Sequence, residues 1–305
     1  MRMATKAVLS FLVAAAPLLP ACGGGGGGGG PELLAIAPGA GGFVAVGEGG
    51  RIFSSSDASS WTPRDVGGLT STLRGVTFGA NGFVAVGDGG VIVQSSDGVG
   101  WAQQSSPATA SLFDVTYGLG LFVAVGSGGT IVTSPDGNTW STRSSGTTTD
   151  LDGVTVGGDR FVAVGAGGAA LASSDGATWS SSFVPDVPQT LRSVAYGGGF
   201  FLTVGDEGVI ARSPDGGSWT VVQSSGATPN LEGVSFFQGL FFMVGDLGTA
   251  FSAAPADPLV LVQIIDITKS NLNAVTFGSN RVVTVGVNGE ILFSFDGVTW
   301  IHAGV

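Results

Sequence analysis

The chain has 305 residues, 43% hydrophobic and only 11% charged, with 55 glycines and a formal net charge of −11. That is enough apolar material for a large core, and outside the glycine run at 23–30 many glycines recur at fixed positions, which excludes a low-complexity chain. The acidic balance, with no Lys/Arg cluster to offset it, repels phosphate backbones, so no nucleic-acid partner is expected.

The N-terminus reads as an address. Arg2 and Lys6 precede an apolar stretch, 7–20, that is too short to span a bilayer and of the right length for a signal-peptide core. Leu19-Pro20-Ala21-Cys22 follows and resembles a bacterial lipobox. The resemblance implies cleavage after residue 21, a lipidated Cys22 and a membrane anchor. Cys22 is the only cysteine, so an internal disulfide is excluded. Residues 22–30 then form the anchor and a glycine tether, which composition makes flexible. No Asp follows the cysteine, and by analogy with diderm lipoproteins this favours the outer membrane, periplasmic or surface-facing.

From residue 33 onward one unit repeats. Its clearest copy is FVAVGSGGTIVTSPDGNTW at 122–140, and its Gly126 has counterparts at Gly47, Gly87, Gly165, Gly205, Gly245 and Gly286. The spacings are 40, 39, 39, 40, 40 and 41 residues, giving seven copies. A period of this size marks a repeat architecture. In the second copy, 73–78, 83–86, 91–94 and 101–104 are short runs of strand formers separated by glycine-rich turns, the pattern of an antiparallel meander. A glycine three residues after each Val-Gly is expected to serve a tight hairpin by taking positive φ. No helical periodicity occurs past residue 30.

The next turn carries Ser-x-Asp-Gly-x-x-Trp, with Asp97, Asp136, Asp175, Asp215 and Asp296; the first copy has Asp57 followed by Ala58. The carboxylate is expected to accept backbone N–H bonds across the turn, and the Trp to cover it as an apolar plate. This motif resembles the Asp-box (BNR) repeat of sialidase-like propellers and of the photosystem II assembly-factor family, one residue shorter than the usual form. The resemblance implies structural, non-catalytic aspartates between the third and fourth strands of each blade.

A four-stranded unit with two apolar faces must stack on neighbours, and radial closure buries both. The expected fold is therefore all-β, a seven-bladed β-propeller of four-stranded antiparallel blades over 31–305. The blades fall at about 33–66, 73–105, 112–145, 151–183, 191–224, 231–267 and 272–305. The copies are in phase with both ends of the repeat region, so blades one and seven should close by face packing, without strand exchange.

Function is sought where the copies differ. The second residue of each innermost strand is Leu34, Arg74, Phe113, Asp152, Arg192, Glu232 or Asn273. The following loops on the same face add Glu48, Asp88, Asp206, Glu207, Asp246 and Asn288. A candidate ligand rim of Arg74, Asp88, Asp152, Arg192, Asp206, Glu232 and Asp246 results, suited to a polar ligand, a cation or a basic segment. Copy six lacks the Ser-x-Asp turn, has Leu259 in place of the Trp, and continues into an apolar run, 259–267, that could take an added partner strand.

Chemistry is sparse. The arginines do not sit in a sialidase pattern, Tyr117 and Tyr196 occupy core-like slots, and the sole histidine is His302, near the end of the chain. Histidine-dependent catalysis and His-rich metal sites are thereby disfavoured. Gly165-Ala-Gly-Gly-Ala-Ala170 imitates a dinucleotide fingerprint, but a second turn arrives before any helix could form. No cofactor, metal or catalytic residue is assigned. The expectation is a membrane-anchored binding or assembly scaffold for a protein or glycan, with a divergent glycoside hydrolase or lyase on the rim as the alternative.

Overall fold

Every Phe-Val-Ala-Val-Gly run is apolar on both faces, and a strand alternates its side chains between faces. Phe43 and Ala45 pack toward the last blade, whereas Val44 and Val46 pack toward the second, against Phe83 and Ala85. The same division recurs around the ring, so the core is seven separate apolar clusters, one per junction. Each fully buried Phe, Val or Leu contributes on the order of 1.5–3 kcal/mol.

The computed structural model describes residues 30–223, 229–256, 259–264 and 267–304. They form seven four-stranded antiparallel sheets, each from consecutive strands paired in sequence order. Blade one, for example, comprises Leu33–Gly39, Gly42–Gly47, Ile52–Ser55 and Thr62–Arg64, counted from the centre outward. The fold is the expected all-β, seven-bladed β-propeller. Residues 1–29, including Cys22 and the leader, lie outside the described residues.

Closure follows the phase of the repeats. The innermost strand of blade one packs against that of blade seven, and no strand is exchanged between their sheets. Two one-residue bridges stitch the seam, Gly30 with Asn288 and Ser60 with Gly304.

Local details refine the expectations. The glycine turn is a 3-10 turn, Ser127–Gly129 in blade three, and it contains two successive left-handed residues, Gly128 and Gly129, where one was expected. Blades five, six and seven place Glu207, Leu247 and Asn288 at the first of these positions. The preceding glycine is required for space instead: a Cβ on Gly126 would lie 2.0 Å from the Ser111 carbonyl oxygen. Trp101 precedes the outermost strand Ala102–Gln103 and does not open it. In the apolar run of blade six only Leu261–Gln263 is strand; Leu259 and Ile267 are buried, while Val260 and Val262 are 65% and 59% exposed. Residues 265 and 266 of that run lie outside the described residues. The Gly165 imitation of a dinucleotide motif is the blade-four turn Ala166–Gly168.

Candidate functional site

Leu112 pairs with Gly126 and Asp114 with Val125, so Phe113 is an extra residue, a β-bulge. A bulge interrupts pairing and re-aims a side chain. The same register shift falls at the corresponding residue of every innermost strand: Leu34, Arg74, Asp152, Arg192, Glu232 and Asn273. All seven bulged residues line one cavity of about 690 Å³ at the mouth of the central channel. The variable positions of the repeat are thus brought together by a backbone defect common to all copies.

Of the candidate rim, Arg74, Asp152, Arg192, Glu232 and Asp246 line this mouth. Asp88 and Asp206 do not; each stands behind the wall as the partner of an arginine. Arg74 makes a two-pronged contact with Asp88, Nε to Oδ1 at 2.5 Å and Nη2 to Oδ2 at 3.2 Å, and its guanidinium lies 5.7 Å from the Phe113 ring. Arg192 Nε lies 2.7 Å from Asp206 Oδ1 and 3.8 Å from Glu232 Oε2. These pairs are part-exposed, so their role is to fix the arginines in place more than to stabilise the ring.

Lining residues that sequence reasoning missed include Glu32, Asp114 and Asp150. Asp114 occupies the slot held by Ala35, Gly75, Gly153, Ser193, Gly233 and Ala274 in other copies. An acid in a slot otherwise reserved for small residues was the available signal. Its two oxygens accept from Val154 N and Val115 N, each at 2.8 Å, and so join blades three and four. Asp150 Oδ1 accepts from Gly128 N at 2.7 Å, and Asn230 and Asn271 cap the preceding blade's turn in the same way.

Burial decides the protonation of the mouth. Desolvation outweighs the two N–H donors at Asp114 and pushes its carboxyl up to about 7. Asp152 is raised to about 6, again by burial, with Arg192 opposing and Asp150 and Asp206 adding to the shift. Its Oδ2 is buried without a hydrogen-bond partner. Glu232 is raised too, by burial first, against the pull of Arg192. Asp88 moves the other way because Arg74 donates to it. The mouth is therefore polar, mostly acidic, and partly protonated near neutrality.

The Ser-x-Asp turns lie away from this mouth. In blade three, Ser134 Oγ accepts from Gly137 N at 2.8 Å and donates to Asp136 Oδ1 at 3.0 Å. The same Oδ1 accepts from Asn138 N and Thr139 N, both at 2.9 Å, and Trp140 Nε1 donates to Gly137 O at 2.9 Å. Backbone donors hold Asp97, Asp136, Asp175, Asp215 and Asp296 below the usual carboxylate range. For Asp57 the Ser59 hydroxyl is the main cause, lowering it to about 2. In blade one the turn keeps its shape with Ala58 buried at φ 63°. No group of three His, Cys, Asp or Glu among the described residues is arranged to hold a metal ion.

With this geometry in hand, the solved structures that resemble it are informative. YCF48 from Cyanidioschyzon merolae is 17% identical over 87% of this chain and 96% of that one, with a TM-score of 0.68. YCF48 bound to D1 peptide gives 16%, 87%, 91% and 0.69 in the same order. A streptogramin B lyase gives 13%, 86%, 93% and 0.74. The likeness is one of fold. No protein-family model matches the chain, and no curated protein does either.

Proposed function

We propose that this protein is a membrane-anchored, extracytoplasmic propeller that binds a protein or glycan partner at its channel mouth and carries out no reaction of its own. The observation that carries the reading is the convergence of all seven bulged residues on one cavity. There Arg74 and Arg192 are held in place by carboxylates and stand among further acids, Asp152 and Glu232. A peptide complex of YCF48, a propeller of similar architecture, supports a protein partner over a glycan.

The anchor part of the proposal rests on Cys22 and its flanking sequence. Gly30 bridges to Asn288 on the turn face, so the chain joins the ring beside the channel mouth. At roughly 3.3–3.6 Å per extended residue, the glycine tether reaches at most about 28 Å, which would keep the ring within that distance of the membrane surface. Globomycin should then make the unprocessed form accumulate; normal processing under the drug excludes lipidation at Cys22. The apolar edge of blade six at Leu261–Gln263 is a second proposed contact, by strand addition.

The catalytic alternative draws on one observation: Asp152, Asp114 and Glu232 are carboxyl groups with raised affinity for protons in a single cavity. Incubation with a panel of glycans distinguishes the two readings. Intact glycans are expected; turnover lost on Asp152→Asn or Glu232→Gln favours a hydrolase or lyase.

A further inference from the structure

The seams between blades differ on the Ser-x-Asp face in how they are filled. Three positions do the filling: the first residue of the second strand, the residue just before it, and the third residue of the third strand. At the seam between blades two and three, Asn81 Nδ2 and Gln94 Nε2 both donate to the Asp136 carbonyl, each at 3.2 Å. Between blades four and five, Arg160 Nη1 donates to the Asp215 carbonyl at 3.0 Å. Between blades five and six, Arg212 Nη1 donates to Ala256 O at 3.1 Å, with its guanidinium 5.9 Å from the Phe200 ring. Leu121 covers Gly176 between blades three and four. The chain therefore clamps three of these seams with a guanidinium or an amide.

The seam between blades one and two has none of these side chains. Gly41, Gly42 and Ser54 stand where other blades carry Asn81, Arg160, Arg212 or Gln94. No side chain among the described residues donates to the Asp97 carbonyl, and a cavity of about 400 Å³ opens there. Gly42 has φ +132°, and a Cβ on it would lie 2.0 Å from Ser55 O, so glycine is imposed by the backbone. Gly82 has a similar constraint in blade two, but Asn81 and Gln94 compensate there. Blade one does not compensate.

We propose that this crevice is a docking hole for an arginine side chain presented by a peptide partner. The occupant is read from the sister seams, where Arg160 and Arg212 fill the same place from within the chain. An incoming guanidinium would meet the Asp97 carbonyl, with Val44 and Phe83 lining the path of its stem. Asp57 and Asp97 also line the hole and, held down by hydrogen bonds, remain charged at neutral pH. The one cation in the wall, Arg64, is turned onto Ser54, Nε to Oγ at 2.7 Å. Two carboxylates outnumber it, and a forked planar donor matches carbonyl and carboxylate acceptors better than a lysine ammonium does. The hole is separate from the channel mouth, so it stands or falls apart from the function proposed above.

The test is an amide-resolved NMR titration of the full-length protein with the peptide acetyl-Gly-Arg-Gly-amide. Saturable shifts are expected at residues 41–44, 54–56 and 97–99. The citrulline analogue should bind about tenfold more weakly, the loss of one charge-assisted bond. Gly41→Asn with Ser54→Gln, which copies the clamp of blade two, should abolish the response; Ser54→Gln alone serves if the pair does not fold. Absence of saturable shifts in the crevice, shifts confined to the channel mouth, or an unchanged response in the filled variant would overturn the proposal.

Discussion

Asp114 shows how one residue can be hidden in a repeat and still set a property of the molecule. Its strand reads as ordinary, and its one departure from the sister copies, an acid where they carry small residues, names no partner by itself. Only the folded ring shows that it bonds across to Val154 N. Its carboxyl rises from 3.8 to about 7, so the native state holds that proton more tightly than the unfolded chain. Its contribution to stability is complete below about pH 4 and is lost as pH rises through 7. Asp152, raised to about 6, acts in the same direction. The turn aspartates act oppositely: with carboxyls such as Asp57 and Asp175 near 2, their contribution is present above about 4 and lost as pH falls toward 2. Urea unfolding across pH 3–8 should therefore show greatest stability on the acid side of neutrality. In Asp114→Asn the decline between pH 4 and 7 should flatten; an unchanged slope would mean that this carboxyl titrates normally. Gly126 makes the complementary case, since its role was legible from the sequence although the reason was not. The constraint is the Ser111 oxygen, and φ is extended there, so Gly126→Ala should cost upwards of about 3 kcal/mol or prevent folding.

At the scale of the element, the Ser-x-Asp turn could be read almost whole. Its spacing announced the hairpin, and its carboxylate accepts the expected N–H groups. Less visible was the serine, which satisfies a buried N–H. Ser134→Ala leaves Gly137 N without that partner and should destabilise by about 1–3 kcal/mol, measured by denaturant unfolding. Trp140→Ala removes the plate over the turn and should cost about 3–5 kcal/mol; a loss under 1 kcal/mol would show that the seam collapses to fill the space. Blade six shows what replaces these parts: Leu259 is buried in the seam with blade five, and the outermost strand spans three residues, as in blades one and three. The apolar run of the sequence suggested a longer edge. Alternation explains the difference, because Leu261 faces the core while Val260 and Val262 face out. Val262→Lys should leave the melting temperature within about 2 °C yet reduce recovery of any strand-adding partner. Equal recovery at equal stability removes the edge as an interface.

For the whole molecule, the number of blades and the mode of closure followed from the glycine period and its phase, because radial stacking is what makes such units stable. Leu34 through Asn273 could be nominated for the rim because they vary where the scaffold does not. What the sequence could not supply was the bulge that turns all seven inward, or the swap that leaves Asp88 and Asp206 as supports for arginines. Nor could it show the crevice between blades one and two, since an unfilled seam is defined only by what its sisters hold. The architecture places two acidic hollows on different faces of one ring, and the channel mouth is the one built from the positions at which the seven copies differ. Site-specific photo-crosslinking in native membranes tests it most directly, with a benzophenone side chain at Phe113 in the mouth and, separately, at Phe183 on the outer rim. The expected result is a discrete adduct from position 113 that disappears when Arg192→Glu and Glu232→Gln are introduced together, with none from 183. Adducts from 183 alone, or an adduct from 113 indifferent to those changes, would contradict the mouth as the binding surface.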